Sequence, residues 1–427
     1  MDNKMHAQNH SKQTIKLPQI TALYIGAVLG SGILIIPGLA AELSGPASLL
    51  AWGLMSVLVL PMALTMGLLS ARYPNTGGVS YFVTKAFNPG IGSLVGWFFL
   101  MSVVAGAPVA ALTGAGYVCA AMGLRESERI LLALLMLLTG LIINFFGIKI
   151  TGKLQLGVVI IILVIFAITI TGSLGKISPT NFEPFMPKGW LSVGQSMVIL
   201  FWCFLGWEAV SHMSGEFEDP EKTAIKATII AAVVVSVIYF LTAYVVVGTK
   251  SYGANISDVS LVYVIKGTFG SSGALVAGFC ALCVCLAPVI AYVGAASRLA
   301  YSLSMNGYGP KQFSVYSKKY QTPVGGLLFL LACFIIILAA YRTGAMPLST
   351  LIEIPNTTFL LTYFGGCAAG IRLLKSNKFG VTVSAISLLL TATIFFFVDW
   401  PRVFLYPVMI FLVWLYYHYR RIRHTAA

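Results

Sequence analysis

Glu208 stands in the stretch Phe201-Trp202-Cys203-Phe204-Leu205-Gly206-Trp207-Glu208, where an acid and a lone glycine interrupt bulky apolar residues. An acid in such surroundings is costly and normally faces a polar interior. A second unusual cluster lies near the start of the chain, where Gly26, Gly30, Ser31 and Gly32 crowd one apolar stretch and Pro37 follows. Each glycine in a helix interior costs about 1 kcal/mol relative to alanine. A helix through Gly30 and Gly32 is therefore expected to come undone, although small residues also let helices pack closely. If both stretches unravel, N–H groups at Ser31, Gly32 and Ile33 sit at the positive start of a half-helix and suit a carboxylate. Carbonyls freed along Trp202, Cys203, Phe204 and Leu205 end another half-helix and suit an ammonium group. The separation would be that of an α-amino acid, so the chemistry is the grip of a zwitterion. The expected walls (Ile25, Ala107, Pro108 and Leu112) carry no charge, which favours an apolar or small neutral side chain.

The elements that carry these residues follow from composition. Of 427 residues, 58% are hydrophobic and only 9% charged, against about 25% charged in soluble domains. Leu154–Gly175, Ala227–Thr249, Gly267–Ser297, Tyr320–Tyr341 and Phe379–Val398 are uncharged, and each is 20 residues or longer. About 20 such residues cross a ~30 Å hydrocarbon slab as a helix. The pattern predicts an all-α polytopic membrane protein with twelve helices at 18–41, 46–70, 91–122, 130–148, 154–174, 191–215, 225–248, 273–300, 323–341, 349–372, 379–398 and 401–418. Residues 86–124 are uncharged throughout, and Asn88-Pro89-Gly90 breaks them at the start. One long helix is expected there rather than two short ones. With that choice and a cytoplasmic amino end, nineteen of the 27 basic residues fall on the inside, the bias that orients membrane proteins. Both termini are expected to be cytoplasmic in a bacterial inner membrane. The net charge of +14 is thus spread through loops as topology, and a nucleic-acid partner is excluded.

The expected layout is a polar tail over 1–17, one transmembrane domain over 18–418 and a basic tail over 419–427. No secretory signal is expected, because the apolar stretch after the tail is long enough to be retained. Ser31 lies 13 residues into the first helix and Leu205 14 residues into the sixth, and the two helices run in opposite directions. Matching interruptions predict a 5+5 inverted repeat of helices 1–5 (18–174) and 6–10 (191–372), with a mid-membrane site between them and helices 11 and 12 (379–418) outside it.

Several motifs resemble the amino acid–polyamine–organocation (APC) superfamily. Gly30-Ser31-Gly32-Ile33 resembles its first-helix substrate loop, and Arg72-Tyr73-Pro74-Asn75-Thr76-Gly77-Gly78-Val79-Ser80-Tyr81 the cytoplasmic loop after its second helix. Phe201–Glu208 with Glu216–Glu221 resembles its sixth helix and the loop beyond. Ser297–Tyr301, Asn306-Gly307 and Thr322-Pro323 resemble the stretch between helices 8 and 9. Details around Gly77–Val118 and Phe201–Glu218 look most like the bacterial branch exporting methionine and branched-chain amino acids. The resemblance implies a secondary transporter, exporter or exchanger, of neutral apolar amino acids by alternating access. An uptake permease for other small neutral amino acids is the alternative. The resemblance also implies that Trp202 closes over substrate and that Glu208 acts in gating or proton sensing. Some relatives carry a lysine two turns into helix 5, a position that falls near Ile162 here. Neither sodium nor proton coupling follows from that match, and protons are the candidate ion.

Other residues carry less. Glu208 alternatively serves as a structural hydrogen-bonding acid. Arg298 and Glu216 either form an inner gate or mark the membrane interface. Glu353 suits an outer vestibule or the interface, and Asn356 a substrate contact or, more readily, a helix cross-link. His212, four residues after Glu208, could share a helical face with it. Cys280, Cys283 and Cys285 lie on an apolar helix without nearby histidine or carboxylate, so no metal is expected. No nucleophile set or phosphate loop points to an enzyme or a cofactor. A channel would want a ring of like polar groups along a pore, and none is visible.

Overall fold

In hydrocarbon, a chain satisfies its backbone by closing hydrogen bonds within helices. The computed structural model describes residues 15–253, 257, 260–346, 348–395 and 404–426. Among these there is no strand, only isolated bridges. Sixteen α-helices are described: α1 (Leu17–Val28), α2 (Gly32–Ser44), α3 (Ser48–Arg72), α4 (Gly78–Ala86), α5 (Pro89–Met122), α6 (Glu126–Phe145), α7 (Ile148–Ser173), α8 (Gly189–Phe201), α9 (Trp207–Ser211), α10 (Pro220–Gly248), α11 (Ser260–Phe269), α12 (Gly273–Met305), α13 (Val324–Arg342), α14 (Leu348–Leu373), α15 (Lys378–Phe395) and α16 (Leu405–Ala426). Eight helical segments among the described residues are long and apolar enough to cross a bilayer. The chain is an all-α multi-pass membrane protein.

Each of the twelve expected helices coincides with an observed helix or with a pair of half-helices. The first is split into α1 and α2, and the sixth into α8 and α9 with a single 3₁₀ turn at Trp202–Phe204 between them. The uncharged stretch after residue 86 is one helix of 34 residues. Its start is fixed by the Asn88 side chain, which accepts from the Ile91 amide at 2.9 Å, and by Pro89 at the first position. Two short helices, α4 and α11, were not expected. Both lie outside the long apolar runs on which the twelve were placed.

Many hydroxyl groups inside the bundle are satisfied locally. Ser102, Thr113 and Thr362 donate to the carbonyls of Phe98, Val109 and Thr358, one turn back on their own helices. α5 and α12 make the most extensive helix pair, with α14 also against α5 and α10 against α1 and α3. Both described ends of the chain lie at one end of the bundle. There Ile15 pairs with Glu216 and Glu218, and Gly152 at the start of α7 packs on Gln19. The Arg421 side chain covers the Tyr308 ring at the foot of α12. The tail over residues 1–14 and the side chains of Glu353 and Asn356 lie outside the described residues.

Candidate functional site

The site begins at the two gaps in the helices. α1 ends at Val28 and α2 starts at Gly32, leaving Leu29, Gly30 and Ser31 outside any helix. The amides of Ser31 and Gly32 have no backbone partner, whereas the Ile33 amide, also expected to be free, donates to the Gly30 carbonyl at 3.3 Å. In the second gap Leu205 is extended and Gly206 adopts φ +133, a conformation that disfavours any side chain.

The gaps interlock main chain to main chain. A β-carbon on Gly206 would lie 2.7 Å from the Ala27 carbonyl oxygen, and one on Gly32 would lie 2.6 Å from Cys203 Sγ. The end of α1 thus rests on the second gap while the start of α2 rests on the residues before it. Tyr239 of α10 ties the two together: its hydroxyl is 2.8 Å from both the Val28 and the Cys203 carbonyl oxygens.

The two half-helix starts differ in what they already hold. At α9 the Gly206 amide donates to Glu208 Oε2 at 3.0 Å, and the Gly206 and Trp207 amides both donate to the Tyr363 hydroxyl. At α2 the Ser31 and Gly32 amides remain uncommitted and border a cavity. Only the α2 start therefore offers main-chain donors to a ligand anion.

The cavity is a partly open space of about 600 Å³, solvent at its mouth included. Of the residues expected at the site, Gly30, Ser31, Gly32, Ala107, Trp202, Cys203 and Leu205 line it. Ile25, Ile33, Pro108, Phe204 and Leu112 are buried nearby but do not reach the wall. The reason is helical phase. On α5 the wall is the face of Val103, Gly106, Ala107 and Ala110, with Val109 at its edge, and Pro108 and Leu112 point off it. Phe204 packs instead against Trp52 and Tyr239, with ring centroids 6.2 and 5.2 Å away. The rest of the wall (Ala27, Val28, Pro288, Val289, Tyr292 and Phe359) was not anticipated either. Pro288 and Tyr292 are one turn apart on α12, which was a legible signal; Phe359 in α14 offered none.

Among the described residues no charged side chain lines the cavity. Glu208 lies just beyond the wall, fully buried, where Tyr292 donates to its Oε1 at 2.9 Å. It thus reaches the cavity through the Tyr292 hydroxyl. His212 does not pair with it: the imidazole packs on Phe99 at a 4.2 Å centroid distance, and neither ring nitrogen has a hydrogen-bond partner. Farther toward the end that carries the termini, Arg298 Nε donates to Glu216 Oε1 at 2.6 Å with both side chains buried. That burial replaces the interfacial placement considered for each alone. On the fifth expected helix Gln155 faces α1: its amide fills the space a Gly26 side chain would take and donates to the Ala287 carbonyl at 3.1 Å.

The chain matches the family model described as amino acid permease over residues 15–421. It is 34% identical to an uncharacterized amino acid permease of Bacillus subtilis, YecA, over 93% of this chain and 94% of that protein. It is 28% identical to the L-methionine/branched-chain amino acid exporter YjeH of Escherichia coli, over 86% and 87%. With the branched-chain amino acid permease BcaP of Lactococcus lactis the identity is 23%, over 78% and 77%.

Proposed function

The chain belongs to the amino acid permease family of the APC superfamily, and on that premise we propose that it is a secondary transporter of neutral, apolar amino acids. Methionine, leucine, isoleucine and valine are the substrates, exported or exchanged by alternating access. The observation that carries this reading is the uncommitted pair of amides at Ser31 and Gly32 opening into a cavity whose described wall carries no charge. A carboxylate fits those amides at the positive start of α2. An ammonium group fits the Leu205 carbonyl, which accepts no hydrogen bond among the described residues. The names of the exporter and permease relatives support the substrate class.

In this reading Gly30, Ser31, Gly32, Ala107, Trp202, Cys203 and Leu205 bind substrate, with Ile25, Ile33, Pro108 and Phe204 supporting them from behind. Trp202 closes over the substrate. Glu208 senses protons and reports to the cavity through Tyr292. The α1–α2 and α8–α9 pairs occupy equivalent places in a 5+5 inverted repeat and move together. The termini are cytoplasmic and the membrane is the bacterial inner membrane.

Counterflow in proteoliposomes tests the reading. Internal methionine or leucine should accelerate entry of the labelled amino acid, which a channel does not do, and absence of acceleration would contradict a carrier. In the same vesicles Glu208→Gln should flatten the pH dependence of exchange. An unchanged profile would leave Glu208 as a structural acid.

A further inference from the structure

The glycines of α5 differ in what a side chain would meet. A β-carbon would lie 1.8 Å from Thr84 Oγ1 at Gly92, 2.9 Å from Ser80 Oγ at Gly96, 2.9 Å from Cys285 Cβ at Gly114 and 3.0 Å from Arg129 Nε at Gly116. Those positions are glycine because a neighbour occupies the space. Gly106 is different: its nearest neighbours would be Pro355 Cβ at 3.5 Å and Phe359 Cε2 at 3.8 Å, ordinary contact distances. A methyl group fits there without displacing anything, and alanine is about 1 kcal/mol better in a helix interior. Packing therefore does not account for the missing side chain. What the position borders is the cavity, whose wall includes both Gly106 and Phe359.

We propose that Gly106 sets the length of side chain the cavity accepts, by leaving a crevice between α5 and α14 that is floored by the Phe359 ring. This rests on the amino-acid reading above and names the filter within it. With carboxylate and ammonium held at the α2 start and at Leu205, the substrate side chain extends across the cavity to the Val103–Ala110 face of α5. Gly106 and Ala107 on that face project nothing beyond a methyl group. Pro355 and the Phe359 ring close the far side, and Tyr292 buttresses that ring at a 5.3 Å centroid distance. Four-carbon and thioether side chains use this crevice. An alanine side chain stops short of it. One surplus methyl group in a filled apolar pocket changes affinity by about tenfold or more.

The test is the rise in melting temperature of the detergent-purified protein with alanine, valine, leucine, methionine or phenylalanine, which tracks binding to the folded state. For Gly106→Ala, leucine and methionine should need about tenfold higher concentration for the same rise, while the alanine response stays as in wild type. Phe359→Ala should newly admit phenylalanine. An unchanged ranking in a well-folded Gly106→Ala protein would overturn the filter and leave the transport reading intact. An equal loss for every amino acid would also overturn it, as general damage to the site. If none of the five raises the wild-type melting temperature, the filter and the reading beneath it both fall.

Discussion

Gly30 and Gly32 flank the same serine, yet they answer to different neighbours. A β-carbon at 32 collides with Cys203 Sγ and comes within 3.3 Å of Cys203 Cα, whereas at 30 the nearest atom is Pro288 Cγ at 3.5 Å. Gly32→Val should therefore fold but lose substrate binding, because the branched side chain drives the α2 start away from the second gap. Gly30→Ala should bind within about threefold of wild type, since nothing nearby must shift to admit a methyl group. Equilibrium binding of labelled leucine to the purified variants measures both. Wild-type affinity in Gly32→Val would remove the α2 start from the site. At this scale the sequence was informative where residue types were out of place. Glycines and a serine in an apolar helix, and an acid among aromatics, announced themselves. Phe359 and Gly106 did not, because an apolar wall is written in the same letters as ordinary helix packing.

At the scale of elements, the two interrupted helices are held as a unit by one hydroxyl. Tyr239 has a single proton to offer, yet its oxygen lies 2.8 Å from a carbonyl oxygen of each gap. Carbonyls released from helices need donors at this depth, and no bulk water competes. Tyr239→Phe should leave both carbonyls without that donor, costing about 1–3 kcal/mol. The melting temperature should fall and exchange should slow by about tenfold, and an unaffected variant would show that the tie does not matter. The gaps themselves were legible from glycine placement, and the long α5 from its Asn88-Pro89 start. The tie was not, since Tyr239 sits in the run Ile238-Tyr239-Phe240 with no polar neighbour to mark it. Nor were α4 and α11 legible, because neither is long enough to announce itself by hydropathy.

For the whole molecule, successive buried contacts lie between the cavity and the end bearing Ile15 and Arg421: Tyr292 on Glu208, Phe99 on His212, and Arg298 on Glu216. Removing one partner of a buried ion pair strands the other, at a cost of about 3–5 kcal/mol, so that end is held together by more than packing. In the alternating-access account these contacts separate when the cavity reopens on that side. All of it presupposes that the space between the gaps is where an amino acid sits. Crystals grown with free selenomethionine test this directly, because selenium marks the ligand side chain by its anomalous signal. The account predicts a peak in the crevice between Gly106 and Phe359, with the ligand carboxylate on the Ser31 and Gly32 amides. A ligand peak elsewhere in the molecule, beside unaltered and empty gaps, would contradict it.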